Sequence, residues 1–453
     1  MNDTNDELMA RRIQAALRTD RTRDALAILA NLHPADQADV FNMLEDAEQE
    51  LLLPLMDIQA TADLLEELED EDVLDAIEDF TTEKLADVLD EMEPDEAADL
   101  LGDLPPAQAS QALAQMEDAD DVIPLLGYPD ETAGGLMTTS YVALRRQTTA
   151  QQAIEFLRSV ELTTDIPYYL FVVDREKKLV GVTGLRELVV SKENTKIEAV
   201  MDPEVIYVTV GTDQEEVARV MSRYGLSAIP VIDEAGHLLG VITHDDIVDV
   251  MESETTEDIL HLGGIESGPL IDKPYWTQRI VDVVRSRFFW LLLLFIAETF
   301  TGTVLRHFED ELQVVVALSF FIPLLIGTGG NAGSQTVATV IRALALREVR
   351  PRDLFKVWWR ELRTGLFLGI LIALVAFFRA LLWQVEWELA LTIAITIAAI
   401  VIWANTVAAL VPIIASRLGI DPTILSGPLM TTLIDGTGLL IYFSLAALIL
   451  PEL

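Results

Sequence analysis

The sequence contains no cysteine. Disulfides, thiolate nucleophiles and cysteine-built zinc sites are therefore excluded. Positive charge is scarce: 31 Lys and Arg stand against 74 Asp and Glu, a net charge of −43. That excess of acid argues against nucleic-acid phosphate as a partner and favours cations. Arg outnumbers Lys 24 to 7, and an acidic surface of the salt-adapted kind has the same composition. Most of these carboxylates are accordingly read as solvated surface, and a minority as ligands. The phosphate loop G-x-x-x-x-G-K-[ST] and the metal run H-E-x-x-H are both missing, which speaks against an ATP-driven pump or a membrane metalloprotease. No enzymatic activity is expected. The first residues, "MNDTNDELMARRIQAALRTD", lack an apolar signal region, so this end is expected to stay in the cytoplasm.

What is present is unevenly spread. Acids outnumber bases 36 to 6 over residues 1–130 and 25 to 12 over 131–273, and balance 13 to 13 over 274–453. An acidic polar half thus precedes an apolar half in a chain that is 51% hydrophobic. The expected architecture is a multi-domain membrane protein. It has an all-α helical-repeat N domain (1–130), two α/β units (131–200 and 201–250), a connecting helix (251–275) and an α-helical transmembrane domain of five spans (276–453).

The repeat is legible in segments 32–44, 56–68, 80–92, 92–104 and 104–116, each bounded by apolar residues twelve positions apart. Four carry Ala-Asp at one offset: Ala38-Asp39, Ala62-Asp63, Ala86-Asp87 and Ala98-Asp99. Pro34, Pro94 and Pro106 fall where a helix begins and a missing N–H costs little. Short helices stacked into a small solenoid would bury these faces. Such a solenoid serves as a spacer, or its acidic ridge as a cation-dependent docking surface.

Residues 137–258 contain a duplication. "MTTSYVAL" at 137 is echoed by "MDPEVIYV" at 201, and "YYLFVVDREKKLVGVTGLRELV" by "SAIPVIDEAGHLLGVITHDDIV". Both read as strand, turn, strand, helix. This resembles a tandem pair of cystathionine-β-synthase-type (CBS) domains. In that family a Gly-h-x-Thr/Ser-x-x-Asp run binds adenine nucleotides, and the second copy matches it with Gly240, Thr243 and Asp246. The first copy departs, with Gly184 and Glu187 at the Thr and Asp positions. The resemblance therefore admits ATP at one copy, beside a purely structural role for the pair.

Apolar runs at 288–306, 312–341, 364–382, 389–411 and 424–450 each supply about the 20 residues that cross a bilayer. Seven bases lie in 342–363, whereas 307–313 and 384–388 hold acids and no Lys or Arg. The positive-inside rule puts the basic connection in the cytoplasm. The expected order is N-terminus inside, five crossings, C-terminus outside, with Trp358 and Trp359 at the inner interface and Trp383 and Trp387 at the outer.

Two spans are not ordinary lipid-facing helices. The second, "FFIPLLIGTGGNAGSQTVATVIRAL", brings Gly330, Asn331, Ser334, Gln335 and Thr336 to mid-depth. The reading is either tight packing with hydrogen-bond glue or a water-lined path. The fifth carries Asp421 near its cytoplasmic start, then Thr431, Thr432 and Asp435, which share a stripe by 3–4 spacing. A carboxylate near a bilayer centre costs about 2.5–3.5 kcal/mol on insertion scales, so Asp435 calls for a function. Glu298 in the first span is read as a second buried acid. Facing copies of Asp435 repel unless a cation lies between them, and rings of acids are used in cation pores. An oxygen-only set suits hydrated magnesium.

The ensemble is similar to the MgtE family of magnesium channels, most specifically in "IPLLIGTGGNAGSQT" (322–336), "DPTILSGPLMTTLIDGTGLL" (421–440), "YPDETAGGLMT" (128–138) and "TTEDILHLGGI" (255–265). The resemblance implies a homodimer in the bacterial inner membrane, with a pore lined by the second and fifth spans. The mid-pore acid maps onto Asp435 and the acid at the mouth onto Asp421. It implies closure when cytosolic Mg2+ bridges acids of the cytosolic domains. Asp95 and Asp99 fit in the helical domain, Asp213, Glu215, Asp246 and Asp249 in the second CBS unit, and Glu254, Glu257 and Asp258 in the plug helix that follows. Two other readings stand beside it: a proton- or sodium-coupled carrier of divalent cations, cobalt and manganese included, and a membrane-tethered nucleotide sensor whose spans only anchor.

Overall fold

Proline and short polar side chains fix where the first helices begin. The computed structural model describes residues 3–68, 70–159, 169–268, 275, 278–425 and 427–450; residues 269–274 of the expected plug segment and Ser426 lie outside the described residues. The chain divides into two units, Met1–Glu252 and Ser253–Leu453.

Among the described residues before the first strand, ten short helices follow one another: α1 (Asp3–Leu17), α2 (Thr22–Leu29), α3 (Pro34–Asn42), α4 (Asp46–Leu52), α5 (Ile58–Leu65), α6 (Asp70–Ala76), α7 (Thr82–Glu91), α8 (Pro94–Asp103), α9 (Pro106–Leu113) and α10 (Ala119–Val122). Pro34, Pro94 and Pro106 occupy the first turns of α3, α8 and α9. Asp57 and Thr81 cap α5 and α7, accepting from Ala60 N and Lys84 N at 3.0 and 3.2 Å. The repeated Ala-Asp pairs divide by face: Ala38, Ala62, Ala86 and Ala98 are buried, while Asp39, Asp87 and Asp99 are exposed. The twelve-residue blocks combine in twos. Glu66 accepts from Glu93 N at 2.6 Å, and Asp90 from Glu117 N at 2.9 Å, the same contact repeated one two-helix step later.

The duplicated region forms two three-stranded sheets: β1 (Ala143–Arg145), β2 (Tyr169–Val173) and β3 (Leu179–Gly184), then β4 (Val208–Thr209), β5 (Ala228–Ile232) and β6 (Leu238–Thr243). In each, a parallel pair precedes an antiparallel hairpin. Helices α11 (Ala150–Ser159), α12 (Leu185–Val190) and α13 (Gln214–Tyr224) accompany them, and α14 (His244–Leu262) follows β6 without a break. The sequence echoes at 137 and 201 have a structural meaning: each leads into the other copy's sheet. Thr138 pairs with Val241, and Asp202 with Val182. A Cβ on Gly240 would stand 2.8 Å from Met137 Sδ and Thr138 O, and one on Gly181 2.6 Å from Met201 Sδ. The two glycines are required by this exchange.

The second unit is built from long helices: α15 (Ile280–His307), a short α16 (Glu309–Val314), α17 (Ala317–Ala345), α18 (Leu354–Leu382), α19 (Trp387–Arg417) and α20 (Gly427–Ile449). Among the described residues four meet both length and composition for a membrane crossing: Ile280–His307, Pro351–Leu382, Trp387–Arg417 and Gly427–Ile449. This is a multi-pass membrane domain. α17 has the length, 29 residues, but not the composition expected of it, because glycine, amide and hydroxyl residues replace apolar side chains between Gly327 and Thr336. The core joins α17, α19 and α20 through Phe321, Leu325, Ile393, Ile397, Tyr442 and Phe443.

Candidate cation sites

Asp435 lies at the middle of α20. It is 9% exposed, and its Oδ1 has no hydrogen-bond partner. The neighbouring helix explains how α20 comes so close. A Cβ on Gly330 would meet Thr431 Cγ2 at 2.7 Å, and one on Gly333 would meet Ile434 Cδ1 at 2.1 Å. The glycines of α17 therefore serve close packing, which places Gly330 in the helix seam. Ser334 Oγ lies 3.2 Å from Thr431 Oγ1, and Thr431 donates to Gly427 O at 3.0 Å. Thr336 donates to Asn405 Oδ1 on α19 at 3.1 Å. Thr432 is half-buried, and Asn331 is exposed on a chain taken alone. Glu298 departs from expectation. It is exposed, not buried, because α15 keeps most of its surface outside the helix bundle.

At the start of α20, Asp421 is exposed and caps the turn that follows, accepting from Thr423 N at 2.9 Å and from the Thr423 hydroxyl. The last turn of α14 reaches this point. His261 Nδ1 lies 3.3 Å from Thr423 Oγ1 and 3.6 Å from Asp421 Oδ2. Its Nε2 lies 3.3 Å from Ser267 Oγ, which donates to Glu257 at 3.0 Å. Glu257 thus belongs to a chain of polar contacts ending at Asp421, and Glu254 and Asp258 are half-buried beside it. His261 and Ser267 were not singled out from sequence. The available signal was a histidine four residues after Glu257, one helical turn along the same face.

The first unit gathers a second set of acids. Asp95 and Glu96 lie in the first turn of α8, where the helix dipole favours negative charge. Asp95 is 6% exposed, and its Oδ1 has no partner. Burial, then repulsion from Asp246, Glu96 and Glu93, holds its carboxyl well above the usual range. Glu96 keeps exposed surface, but loss of surrounding water, with Asp99, Glu66, Asp246 and Glu93 adding to it, pushes it up to about 8. Burial also raises Asp246, against a lowering by Thr243. Asp249 is raised by burial and by Glu252 and Asp245, and it acts in turn on Glu67 beside Asp39 and His33. Asp95, Asp99 and Asp246 are therefore brought together, joined by Glu66, Glu93 and Glu96, which sequence reasoning missed. Asp213 caps α13, accepting from Glu215 N at 3.0 Å, and Glu215 follows in that first turn; neither is among the acids acting on Asp95. Among the described residues no three His, Asp or Glu side chains converge to hold a metal. Even so, an orphaned buried carboxylate oxygen among raised acids is what a cation's charge relieves.

Thr243 and Asp246 are occupied with each other. Asp246 accepts from Thr243 Oγ1 at 2.7 Å and from Thr243 N at 3.1 Å, and Thr243 also bonds Asp245. Both bonds are donated by Thr243, the residue just before α14, to the Asp246 carboxylate in that helix's first turn.

Comparison with known proteins follows the same division. Residues 32–131 match the MgtE intracellular N domain, 133–191 and 197–253 the CBS domain, and 322–445 the MgtE divalent cation transporter family. The chain is 37% identical over 450 residues to the magnesium transporter MgtE of Thermus thermophilus, covering 98% of this chain and 99% of that one. It is 34% identical over 454 residues to the magnesium transporter MgtE of Bacillus subtilis, covering 100% and 99%. A crystal structure of the cytosolic domain of the Mg2+ channel MgtE in complex with ATP aligns with a TM-score of 0.51 at 34% identity, over 53% of this chain and 99% of that one. The soluble part of a magnesium transporter aligns with a TM-score of 0.50 at 33% identity, over 55% and 99%. With its three regions matched in order and its whole length shared with two magnesium transporters, this chain belongs to the MgtE family of divalent cation transporters.

Proposed function

We propose that the chain conducts Mg2+ across the bacterial inner membrane as a homodimeric channel, with α15, α17, α18, α19 and α20 as five spans and the C-terminus outside. The observation that carries this is Asp435, a buried mid-helix carboxylate whose Oδ1 lacks a partner. A passing hydrated cation supplies its missing counter-charge. Thr431 and Thr432 line the same stripe, Asn331 and the glycines around Gly330 form the facing helix, and Asp421 gathers cations at the cytoplasmic mouth.

Cytosolic Mg2+ closes the pore. Asp95 and Asp99 in the helical domain, Asp213, Glu215, Asp246 and Asp249 in the second CBS unit, and Glu254, Glu257 and Asp258 in the plug are the acids it neutralises. Without cations like charges favour separation, and a ligand preferring the compact state shifts the population toward it. ATP at the second CBS unit, around Gly240, Thr243 and Asp246, is supported by the solved relative in complex with ATP. The chain is not an enzyme. A proton- or sodium-coupled carrier of divalent cations is the second reading, with Asp435 and Glu298, the two acids within the apolar runs of α20 and α15, as proton carriers.

The test is Mg2+ uptake into liposomes, or growth rescue of a Mg2+-dependent strain, with wild type and Asp435→Asn. Asp435→Asn is expected to abolish both. Transport unchanged by the substitution defeats the reading. A flux that reverses with voltage and ignores a pH or sodium gradient separates channel from carrier.

A further inference from the structure

The start of α18 has the opposite charge to the chain as a whole. Residues 347–363 hold six bases (Arg347, Arg350, Arg352, Lys356, Arg360 and Arg363) against three acids, in a chain of net charge −43. Two of those acids are engaged. Asp353 accepts from Arg350 N and from Lys356 Nζ, both at 3.2 Å, and Glu348 lies 3.7 Å from Arg342. The third, Glu361, is half-buried. Arg352, Arg360 and Arg363 are exposed, and among the described residues they make no ion pair. Lys356, Arg360 and Arg363 share one helical face by their 3–4 spacing, with Arg352 in the turn one step before. The opposite face points inward, where Leu354 and Val357 pack on Leu344 and Ile413. Aromatic rings stand beside the bases. Phe355 and Trp359 are exposed and Trp358 half-buried. The Phe355 and Trp358 centroids are 5.3 Å apart, and those of Trp358 and Trp359 6.1 Å. The Arg363 guanidinium lies 5.9 Å from the Trp359 ring centre, and its Nε donates to Trp359 O at 3.3 Å. Arg417, at the end of α19, donates to Pro351 O at 2.6 Å and ties the preceding turn to the bundle.

We propose that this surface binds the headgroups of anionic phospholipids in the leaflet around the start of α18, the cytoplasmic one on the proposed topology. Positive charge at this end is what orients a span, but orientation alone needs neither a shared face nor aromatic rings beside it. Basic clusters next to a membrane span attract anionic lipid. The guanidinium fork of Arg matches phosphate oxygens in pairs, and Arg352, Arg360 and Arg363 have that fork open to solvent. Indole rings settle at headgroup depth, so Trp358 and Trp359 set the bases at the level of the phosphates. Directly after Arg363 the exposed surface of α18 turns apolar, with Leu366, Phe367, Ile370 and Leu371 outward, as the acyl chains of a lipid require and a soluble phosphate or an acidic protein does not. A chain of net charge −43 is repelled as a whole by an anionic leaflet, and these bases give it a local attachment. The proposal rests on α18 crossing the membrane and is independent of Asp435 as an ion ligand.

The experiment is native mass spectrometry of the full-length protein in neutral detergent, titrated with phosphatidylglycerol or phosphatidylcholine. Wild type is expected to bind phosphatidylglycerol about tenfold more tightly than phosphatidylcholine. Equal binding of the two lipids by wild type overturns the proposal without any variant. The triple variant Arg352→Gln, Arg360→Gln, Arg363→Gln should lower the preference to about twofold, and the corresponding triple change to Lys should stay within about threefold of wild type. A triple Gln variant that keeps the full preference places the lipid elsewhere. Arg379→Gln, which removes the base 4.4 Å from the Trp383 ring at the far end of the same helix, should leave the preference unchanged; a loss equal to that of the triple Gln variant would mean that any base on α18 suffices and would overturn the site. Displacement of the lipid by glycerol phosphate or by poly-glutamate at equal charge would assign the bases to a soluble phosphate or an acidic protein instead. Asp435→Asn should keep the preference whatever it does to transport, so failure of the pore assignment and failure of this one are told apart.

Discussion

Replacing Gly333 by alanine isolates what the helix seam demands. A Cβ at this position would lie 2.1 Å from Ile434 Cδ1, 3.6 Å from Ile434 Cγ1 and 4.0 Å from Ala404 Cβ. Contact between methyl carbons is comfortable at about 3.5–4.0 Å, so the Ile434 methyl or the helix must retreat by about 1.5 Å. Ile434 is 1% exposed and has no open space to turn into. Overpacking of this kind costs about 1–3 kcal/mol. It also shifts the residue next to Asp435, so transport should fall with stability. The clash resides in one atom, and Ile434→Val removes that atom. The nearest distance then becomes the ordinary 3.6 Å to Cγ1. Ile434→Val alone should cost about 0.5–1.5 kcal/mol. The double variant should be no worse than Ile434→Val, giving a coupling of about 1–3 kcal/mol. Gly327→Ala on the same helix meets nothing within 4 Å and serves as the control. Thermal unfolding of the full chain in detergent and Mg2+ uptake give the two readouts. A neutral Gly333→Ala, or a double variant as poor as Gly333→Ala, would refute the packing account.

Three further outcomes follow from the sites. His261→Ala removes the contacts to Thr423 and Ser267 at 3.3 Å each; amide exchange over residues 257–267 should quicken about tenfold, and unchanged exchange means that the contacts hold nothing in place. The carboxyl of Glu96 is raised from 4.5 to about 8, so the folded form binds more protons than the unfolded one between those values. Its contribution is full below the unfolded value and is lost as pH rises through about 8; proteolysis of the first unit in the full chain should therefore quicken over that range in chelator, and added Mg2+ should flatten the slope. Gly240→Ala sets a Cβ 2.8 Å from Met137 Sδ and Thr138 O; the first unit should lose about 1–3 kcal/mol of stability whether or not ATP is present, and a loss confined to ATP affinity would contradict the packing role.

Much of this protein is settled by local chemistry along the chain. Proline at helix starts and Ala-Asp pairs split between core and solvent require only neighbours in sequence, because cap and face are set within one or two turns. The CBS duplication declares its strands by its own repetition. Apolar length marks α15, α18, α19 and α20 as candidate membrane crossings, whereas the polar run of α17 keeps it below that composition, although its Gly329, Gly330 and Gly333 are buried against α19 and α20. Tertiary structure alone decides the rest. A carboxylate is raised by whatever acids surround it in space, so Glu66, Glu93 and Glu96 join Asp95 and Asp246 from different elements. His261 reaches Asp421 across 160 residues of sequence. Gly240 and Gly181 are needed by the opposite copy's strand. Composition and spacing singled out Asp435, since a mid-span charge is visible in any apolar run. That Phe300 and Thr301 stand against Gly436, next to it, follows from α15 packing on α20, a pairing of the first and last long helices of the second unit that no local pattern encodes.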